Sequence, residues 1–465
     1  MTQSQHRTTR SIKIDFSDEN ATAFAGLALV ERVAARVRLW TTLEKRLPER
    51  AGFDWLTIVK SVAAGLLSGA RGTFAAEDLR EDGALLALLG LEGAPEEATV
   101  WRALEGLGEM QRSGLLPEVQ RRWARNVLAK AKRRDLLRWG FFPVFADGSL
   151  LEGSRRREGT KFLRDKGAGL VWSTVFAGPI AAAQGLAEEG EGEETCVRRM
   201  LAAVAADVLK PLKLRACALL LLDSLHGDDP TLREAERLKL HYVVGANKLA
   251  AAGKTLASQP EAVWQDTGED RGRGWSKSGL CVCWIQCAEW KKKRVLVGRR
   301  WMYEGEFIWN YSGVMTDLTE SHVAHVMGGG ASYAEAIWRL YDLKMGMETQ
   351  YQDLLRDLGL HHPPCQELLR NAGFYAAATL AHTLSAAVDL LGGATENRGS
   401  AKRQDGAKRK RPKPRRMRLW RLRRRFFALP GRVARHGGVV TVTLLGLGET
   451  LRREFERIFL TICQC

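Results

Sequence analysis

Cysteine is scarce in this sequence, with eight residues in 465 and no regular spacing between them. This excludes a small disulfide-stabilised secreted fold and predicts a reduced, intracellular protein. Residues 1–11 contain no apolar segment, so we expect no secretory signal there. The longest apolar stretch, Phe374–Ala394, is interrupted by polar residues such as His382 and Asp389. Charge near the middle of a membrane span is costly, so we interpret this stretch as a packed helix of a cytoplasmic protein.

Acidic residues are almost missing from the part of the chain that we call the basic tract, Arg398–Arg435. It contains 17 Lys and Arg residues and one acid, Asp405, in a chain whose net charge is +17. Nearly all of the excess charge therefore lies in this tract, which favours a polyphosphate or an anionic membrane as partner. No apolar face that could enter lipid accompanies it, which disfavours the membrane. The sequence thus predicts binding to nucleic acid.

The chain is long enough for several domains. Apolar residues at three- and four-residue spacing predict an all-α DNA-binding domain over residues 1–138. Strands that alternate with helices then predict an α/β core in two parts, 139–254 and 317–394. Between them, alternating apolar residues and six of the 14 Trp residues predict a β-strand insertion over 255–316. Residues 395–465 are predicted to form a basic linker and a small region that contacts DNA.

Two Asp residues follow apolar runs that we predict to be buried strands. The first run, Phe141–Ala146, ends at Asp147, which we expect to start a turn, and the second, Ala218–Leu222, ends at Asp223. Ligand sites of α/β sheets form at the carboxyl ends of strands, so these acids could belong to one site. The alternative is that each Asp only forms a turn. Asp228 and Asp229 compete with Asp223, and we prefer Asp223 because the apolar run ends there.

A third acid, Glu348, lies in a helix that we predict from Ser332 to Leu358. Tyr341, Lys344 and Glu348 are spaced to form one stripe of that helix. An acid flanked by a cation and a phenol suits a phosphate-containing substrate, whereas the alternative is an ordinary amphipathic helix. Together with the two Asp residues, Glu348 could bind two Mg²⁺ ions, with Mn²⁺ as a substitute, because hard cations prefer oxygen ligands.

The residues around Glu348 resemble a known signature. The run Tyr341-Asp342-Leu343-Lys344-Met345-Gly346-Met347-Glu348 resembles the Tyr-(2)-Arg-(3)-Glu-(6)-Lys motif of DDE transposases of bacterial insertion sequences, in particular the group-four and thirteen-eighty-type relatives. Further similar blocks lie along most of the chain: Ala25–Val30, Glu77–Asp82, Thr99–Leu104, Asp147–Ser149, Leu221–Ser224, Tyr242–Lys248, Thr316–Leu318 and Arg423–His436.

The resemblance implies an RNase H-like α/β core with a β-rich insertion, in which Asp147, Asp223 and Glu348 are the catalytic metal ligands. It implies that Tyr341, Lys344 and Arg356 contact DNA, and that Arg423, Arg424 and Arg425 do so from the basic tract. The expected partners are the terminal inverted repeats of the element and the target DNA, bound by a homodimer at the nucleoid of a bacterium.

The implied reaction is hydrolysis at the element ends followed by attack of the freed 3′-OH on target DNA. Relatives with a β insertion pass through a hairpin on the DNA end, with an aromatic residue stacked on a flipped base. Trp275, Trp284, Trp290 and Trp301 are the candidates for that stacking, and core packing of each Trp is the alternative.

Two departures from the motif leave a second function open. Lys344 replaces the signature Arg and loses its bidentate phosphate contact. The signature Lys position is Leu355, with Arg356 next to it. The alternative is therefore a non-catalytic DNA-binding remnant, or a regulator derived from a transposase.

Two further groups carry weaker signals. Cys281, Cys283 and Cys287 lie on one face of a predicted strand and could bind zinc with Cys463 or Cys465. Their spacing is unusual for zinc, which favours a buried strand face. His226 lies near Asp223 and could assist a metal ligand, although we favour a surface loop.

Overall fold

The computed structural model describes residues 18–163, 167–188, 191–246, 250–270, 272–328, 330–396 and 415–465. Asn247 and Lys248 of the transposase-like blocks lie outside these residues, as do all residues of the basic tract before Arg415. The described chain is a mixed α/β structure with one large mixed sheet and helices.

The helices are α1 Ala28–Arg36, α2 Leu39–Arg46, α3 Trp55–Ser68, α4 Gly83–Leu89, α5 Glu97–Arg112, α6 Leu115–Lys130, α7 Arg133–Leu136, α8 Glu193–Val204, α9 Asp229–Arg237, α10 Ala250–Ala257, α11 Glu320–Val323, α12 Tyr333–Tyr341, α13 Met345–Gln352, α14 Leu368–Gly392, α15 Leu419–Leu422 and α16 Glu449–Gln464. The strands are β1 Ala21–Thr22, β2 Phe142–Glu152, β3 Lys161–Leu163, β4 Gly167–Ala177, β5 Ile180–Leu186, β6 Ala218–Leu222, β7 His241–Gly245, β8 Gln265–Asp266, β9 Trp275–Ile285, β10 Arg294–Tyr303, β11 Asn310–Thr316, β12 Thr395–Glu396, β13 Arg415–Arg416, β14 Gly431–His436 and β15 Val439–Leu444.

Helix α14 is the central helix of the structure. It packs against α5, α3, α1 and α16 and also against strand β5. Its crossing with α5 depends on two glycines, because a Cβ at Gly373 would lie 2.2 Å from the Leu104 carbonyl oxygen and one at Gly108 would lie 2.0 Å from that of Leu369. By length and composition α14 could span a bilayer, but 89% of its most apolar window is buried in the structure. The predicted packed helix is therefore confirmed.

The large sheet has the strand order β3-β4-β2-β6-β7-β11-β10-β9-β8, and β5 pairs with β4. Strands β2, β4 and β5 follow one another as an antiparallel meander, whereas β2, β6 and β7 are parallel neighbours. Helix α8 connects β5 to β6, and α9 connects β6 to β7. The sheet therefore places the carboxyl ends of β6 and β7 beside the middle of β2.

The prediction that the first strand ends at Asp147 is wrong, because β2 continues to Glu152. Parallel pairing with β6 stops at Phe145, but antiparallel pairing with β4 continues from Val144 to Glu152. The polar Asp-Gly-Ser sequence resembles a turn, yet the long partner strand β4 keeps it extended. Asp147 still lies just beyond the parallel part of the sheet.

The predicted antiparallel strands of the insertion are confirmed, and they extend the large sheet. Strand β10 pairs antiparallel with both β9 and β11, and β11 pairs antiparallel with β7. The long helix predicted over 332–358 is present in pieces: α12 and α13 are joined by a tighter turn, Asp342–Lys344, and a wider helical turn follows at Asp353–Asp357. Gly346, a poor helix former, is the second residue after the tight turn.

The C-terminal residues return to the beginning of the chain. Strands β1, β14 and β15 form a separate three-stranded sheet, and β12, which precedes the basic tract, pairs with β13 inside it.

Candidate functional site

Asp147 is held on β2 beside the end of the parallel strands. Its Oδ1 accepts a hydrogen bond of 2.9 Å from the Gly148 amide, and its carbonyl oxygen accepts one of 2.6 Å from the Tyr351 hydroxyl. The Tyr351 ring is buried edge-on against Trp172 and Phe176. Helix α13 is thereby fixed over the strand that carries Asp147.

Asp223 directly follows β6, as predicted, and caps the short helical turn Ser224–His226. Its Oδ1 accepts a hydrogen bond of 2.9 Å from the Leu225 amide. The competing acids Asp228 and Asp229 are instead ion-paired with Arg198 and Arg294, respectively. Asp223 is thus the acid of this loop whose charge raises the pKa of Asp147, but its carboxylate is not in the group of ligand atoms found within the described residues.

Two further residues complete the group: sequence reasoning missed Glu193, and it named His226 only as the weaker of two interpretations. The ligand atoms of Asp147, Glu193 and His226 all lie within 4.8 Å of one another. Nε2 of His226 is 3.2 Å from Oε1 of Glu193 and 4.0 Å from Oδ1 of Asp147. His226 is fully buried, so its expected place in a surface loop is wrong. We call Asp147, Glu193, Asp223 and His226 the acidic edge.

Glu193 reaches this position from the first residue of α8. A Cβ at residue 148 would lie 2.3 Å from the carboxyl carbon of Glu193, so Gly148 leaves the space that this side chain fills. Glu193 lies in a stretch rich in Glu and Gly, where no spacing distinguishes it from its neighbours. The Gly after Asp147 is the one local signal that could have indicated a close approach.

The charges at the acidic edge repel one another. Burial and the charges of Asp223 and Glu193 raise the pKa of Asp147 to about 6, although Lys344 and His226 act in the opposite direction. Burial lowers the pKa of His226, but contact with Glu193 and the charges of Asp223 and Asp147 raise it overall. Among the described residues, no Lys or Arg forms an ion pair with any of the three acids. The site is therefore suited to a divalent cation.

Two residues of the predicted helical stripe, Tyr341 and Lys344, interact with this edge. Burial and the charges of Asp223 and Asp147 raise the pKa of Tyr341 to about 12. A Cβ at Gly245, the last residue of β7, would lie 2.9 Å from the Tyr341 hydroxyl. The charge of Lys344 lowers the pKa of Asp147. Tyr341 and Lys344 therefore lie next to the two Asp residues.

Glu348 is exposed, and it does not belong to the group of ligand atoms found within the described residues. It follows Lys344 by four residues and precedes Tyr351 by three, and both of those residues act on Asp147. Residues at these spacings share one helix face. The spacing places Glu348 near these two residues along the chain, and its catalytic role stays a prediction.

The predicted DNA-contacting arginines differ in their surroundings. Arg423 donates hydrogen bonds of 2.9 Å to the carbonyl oxygens of Leu66, Leu67 and Asp357. Arg425 is bound to Glu454. Arg424 and Arg356 are exposed, and no ion pair of either is found in the described parts of the chain. Arg424 and Arg356 are therefore available to a ligand, whereas Arg423 is used inside the protein.

A cavity of about 260 Å³ opens between the insertion and α12. Trp275 and Arg299 line it from the strands, and Trp338 lines it from α12. Trp275 is stacked on Trp301 at 5.2 Å, and Trp338 contacts Tyr341 edge-on at 5.8 Å. The Tyr341 ring thus lies between Trp338 of this aromatic cavity and the acidic edge.

The remaining Trp and Cys candidates differ in how far their side chains are buried. Trp290 is buried and Trp284 is 64% exposed. Cys281 and Cys283 are buried on one strand face, so that interpretation is confirmed for them. Within the described residues, the acidic edge supplies the one group of three potential metal ligands, and no cysteine belongs to it.

Comparison with known proteins gives little. No family model matches the chain, and no curated protein matches it. Among solved structures, a cryo-EM structure of the piggyBac transposase synaptic complex with hairpin DNA is similar at 12% identity and a TM-score of 0.35. The match covers 78% of this chain and 75% of that chain. At that TM-score the likeness is distant, and the functional argument rests on the acidic edge.

Proposed function

We propose that this protein is a metal-dependent DNA transposase that cleaves DNA at the ends of a bacterial insertion sequence and joins them to target DNA. The observation that carries the proposal is the acidic edge. Ligand atoms of Asp147, Glu193 and the buried His226 lie within 4.8 Å of one another beside parallel strand ends, and the charge of Asp223 acts on Asp147. Among the described residues, no Lys or Arg is ion-paired with these acids. Carboxylates crowded in this way favour a bound divalent cation over separate ionised groups.

The donor set fits such an ion. Asp147 and Asp223 would hold it with Glu193, and Glu348 would approach from α13. Bound divalent ions supply an activated attacking oxygen and stabilise the leaving oxygen at phosphorus. Oxygen ligands favour Mg²⁺, and Mn²⁺ can replace it.

The protein groups around the acids have separate tasks. Tyr351 holds the backbone of Asp147, and the Leu225 amide holds the Asp223 carboxylate. Tyr341 and Lys344 lie beside the acids, where a phenol and a cation can position the phosphate of a DNA strand. Lys344 would act as a point charge, without the fork of an Arg.

The sheet supports an RNase H-like core. Its central part is a three-stranded antiparallel meander, β2-β4-β5, extended by the parallel strands β6 and β7 with connecting helices. Asp147 lies on β2, and Asp223 directly follows the neighbouring parallel strand β6. The aromatic cavity beside Trp275 is the place where an extruded base would stack, and base–aromatic stacking contributes about 1–3 kcal/mol.

The exposed cations and the basic tract would bind double-stranded DNA, both element ends and target. A homodimer that pairs two ends, acting at the nucleoid in the cytoplasm, belongs to the same proposal. Each phosphate neutralised releases counterions, so binding should weaken steeply with salt.

The test separates cutting from binding. Purified protein is mixed with duplexes that carry the inverted repeats flanking its own coding sequence, with Mg²⁺ or Mn²⁺, and nicking and strand transfer are measured. We expect Asp147→Asn, Asp223→Asn and Glu348→Gln each to abolish cleavage and to retain binding. Glu152→Gln, an exposed acid on the same strand as Asp147, is the control and should cut normally.

A specific observation supports a second candidate, the non-catalytic DNA-binding remnant. Glu348 is exposed outside the ligand group, and Leu355, at the signature Lys position, packs against the core. Wild-type protein that binds the repeats without nicking them in either metal would favour this candidate. Cleavage that requires Glu348 would exclude it.

A further inference from the structure

The imidazole of His226 is buried, with a relative exposure of 0%. Its Nδ1 has no hydrogen-bond partner among the described residues, and its Nε2 has one polar neighbour closer than 4.0 Å there, Oε1 of Glu193 at 3.2 Å. Oε1 of Glu193 is likewise buried and without a hydrogen bond there. Burying polar atoms without full hydrogen bonding costs free energy. A ligand that bonds to these atoms would therefore be strongly favoured at this point.

Nε2 of His226 is close to two carboxylates. It lies 3.2 Å from Oε1 of Glu193 and 4.0 Å from Oδ1 of Asp147. All three ligand atoms lie within 4.8 Å of one another, which leaves room for one ion to touch each of them. The fold maintains this arrangement, because Gly148 leaves space for Glu193 and the turn capped by Asp223 carries His226.

We propose that His226 is a metal ligand, and that the acidic edge is a mixed nitrogen–oxygen centre that prefers Mn²⁺ to Mg²⁺. Mg²⁺ binds oxygen ligands almost exclusively, whereas an imidazole nitrogen strengthens the binding of first-row transition ions. Asp147 and Glu193 supply the oxygen ligands. The inference concerns the site of the proposed function, but it is tested without DNA and without turnover.

The deciding measurement is pulsed electron paramagnetic resonance on full-length, DNA-free protein loaded with Mn²⁺. We expect the modulation that a directly bound ¹⁴N nucleus produces in the Mn²⁺ echo. Competition with Mg²⁺, followed by the signal of free Mn²⁺, should show tighter binding of Mn²⁺. Mn²⁺ bound without nitrogen coupling, or no Mn²⁺ bound to wild type, would overturn the proposal.

Substitution then assigns the nitrogen. His226→Gln should remove the ¹⁴N signal and weaken Mn²⁺ binding by at least about tenfold. Mg²⁺ affinity should change less, so the ratio of the two affinities falls. His362→Gln, at an exposed His outside the site, is the control and should change neither. An unchanged ratio in a folded His226→Gln protein contradicts the proposal, and if that variant does not fold, the wild-type spectrum decides.

The outcomes separate this inference from the proposed function. If Mn²⁺ is coupled to nitrogen but the protein never cuts DNA, the metal centre is supported and the transposase function is contradicted. If the protein cuts DNA but its Mn²⁺ has oxygen ligands alone, the transposase function is supported and the role of His226 is contradicted.

Discussion

Two acidic groups in this molecule are built in opposite ways. At the acidic edge, Asp147, Asp223 and Glu193 have no ion-paired Lys or Arg among the described residues. After α13, Asp353 and Asp357 are bound by Arg418, and Asp353 also by Arg416 at 3.0 Å. We call this second group the arginine-paired group.

Asp353 and Asp147 differ in the charges that surround them. Burial raises the pKa of Asp353, while Arg416 and Arg418 lower it. Burial raises the pKa of Asp147 too, but there the neighbouring charge of Asp223 raises it further. Acids compensated by the chain's own arginines stabilise the fold, whereas acids left to repel one another indicate a site for an external cation.

The largest expected effect belongs to the arginine-paired group. Asp353→Asn removes the buried charge that Arg416 and Arg418 share, leaving Asp389 at 3.9 Å from Arg416 and Asp357 at 3.1 Å from Arg418. It should lower the free energy of unfolding by about 3–5 kcal/mol. Urea denaturation measures this. Asp78→Asn, at an exposed Asp, is the control and should stay within about 0.5 kcal/mol of wild type. Equal losses in both variants would contradict the comparison.

At the acidic edge, we expect a substitution to raise the free energy of unfolding. With a chelator present to remove metal ions, Asp147→Asn should stabilise the protein, because it removes a charge that burial disfavours and Asp223 repels. The folded pKa of about 6 exceeds the ordinary value of 3.8, so wild type loses stability as pH rises from about 4 to 6. The advantage of the variant should grow over that interval and level off near 3 kcal/mol, at about 1.4 kcal/mol per pKa unit. Denaturation curves at several pH values test this, and a destabilised variant would count against repulsion.

A smaller effect tests the connection between helix α13 and Asp147. Tyr351→Phe removes the hydroxyl bound to the Asp147 carbonyl and should cost about 1 kcal/mol of stability and a larger part of the cleavage rate. Tyr375→Phe loses a similar bond to the Leu360 carbonyl, away from the acids. It should cost similar stability and leave cleavage unchanged. Equal cleavage by both variants would show that Tyr351 only packs.

The smallest stability effect is expected at Arg424. Arg424→Ala should change stability by less than about 0.5 kcal/mol but reduce the slope of log affinity against log salt by about 1, as one phosphate contact is lost. Arg423→Ala should instead destabilise the fold, because three carbonyl oxygens lose their donor. Anisotropy of a labelled duplex at several salt concentrations measures the slope. An unchanged slope for Arg424→Ala would remove that residue from the DNA contact.

The sequence predicts part of the acidic edge for a clear reason. Buried strands have continuous apolar sequences, so the end of one such run predicts the position of Asp223. The extent of β2 does not, because Asp-Gly-Ser stays extended through pairing with β4, which is a tertiary effect. Glu193 and the burial of His226 also depend on how α8 and the loop after β6 pack together. The signature around Glu348 is visible in sequence, but the exposure of its side chain is not.

The crossing of α14 and α5 has a consequence for how the protein opens. Because α14 touches the first helices of the chain and strand β5 at once, its amides should exchange with solvent only when the whole molecule unfolds. A cation bound beside β2 would then slow hydrogen exchange in α3 and α5, far from the ion itself. The N-terminal helices should therefore report on occupancy of the acidic edge.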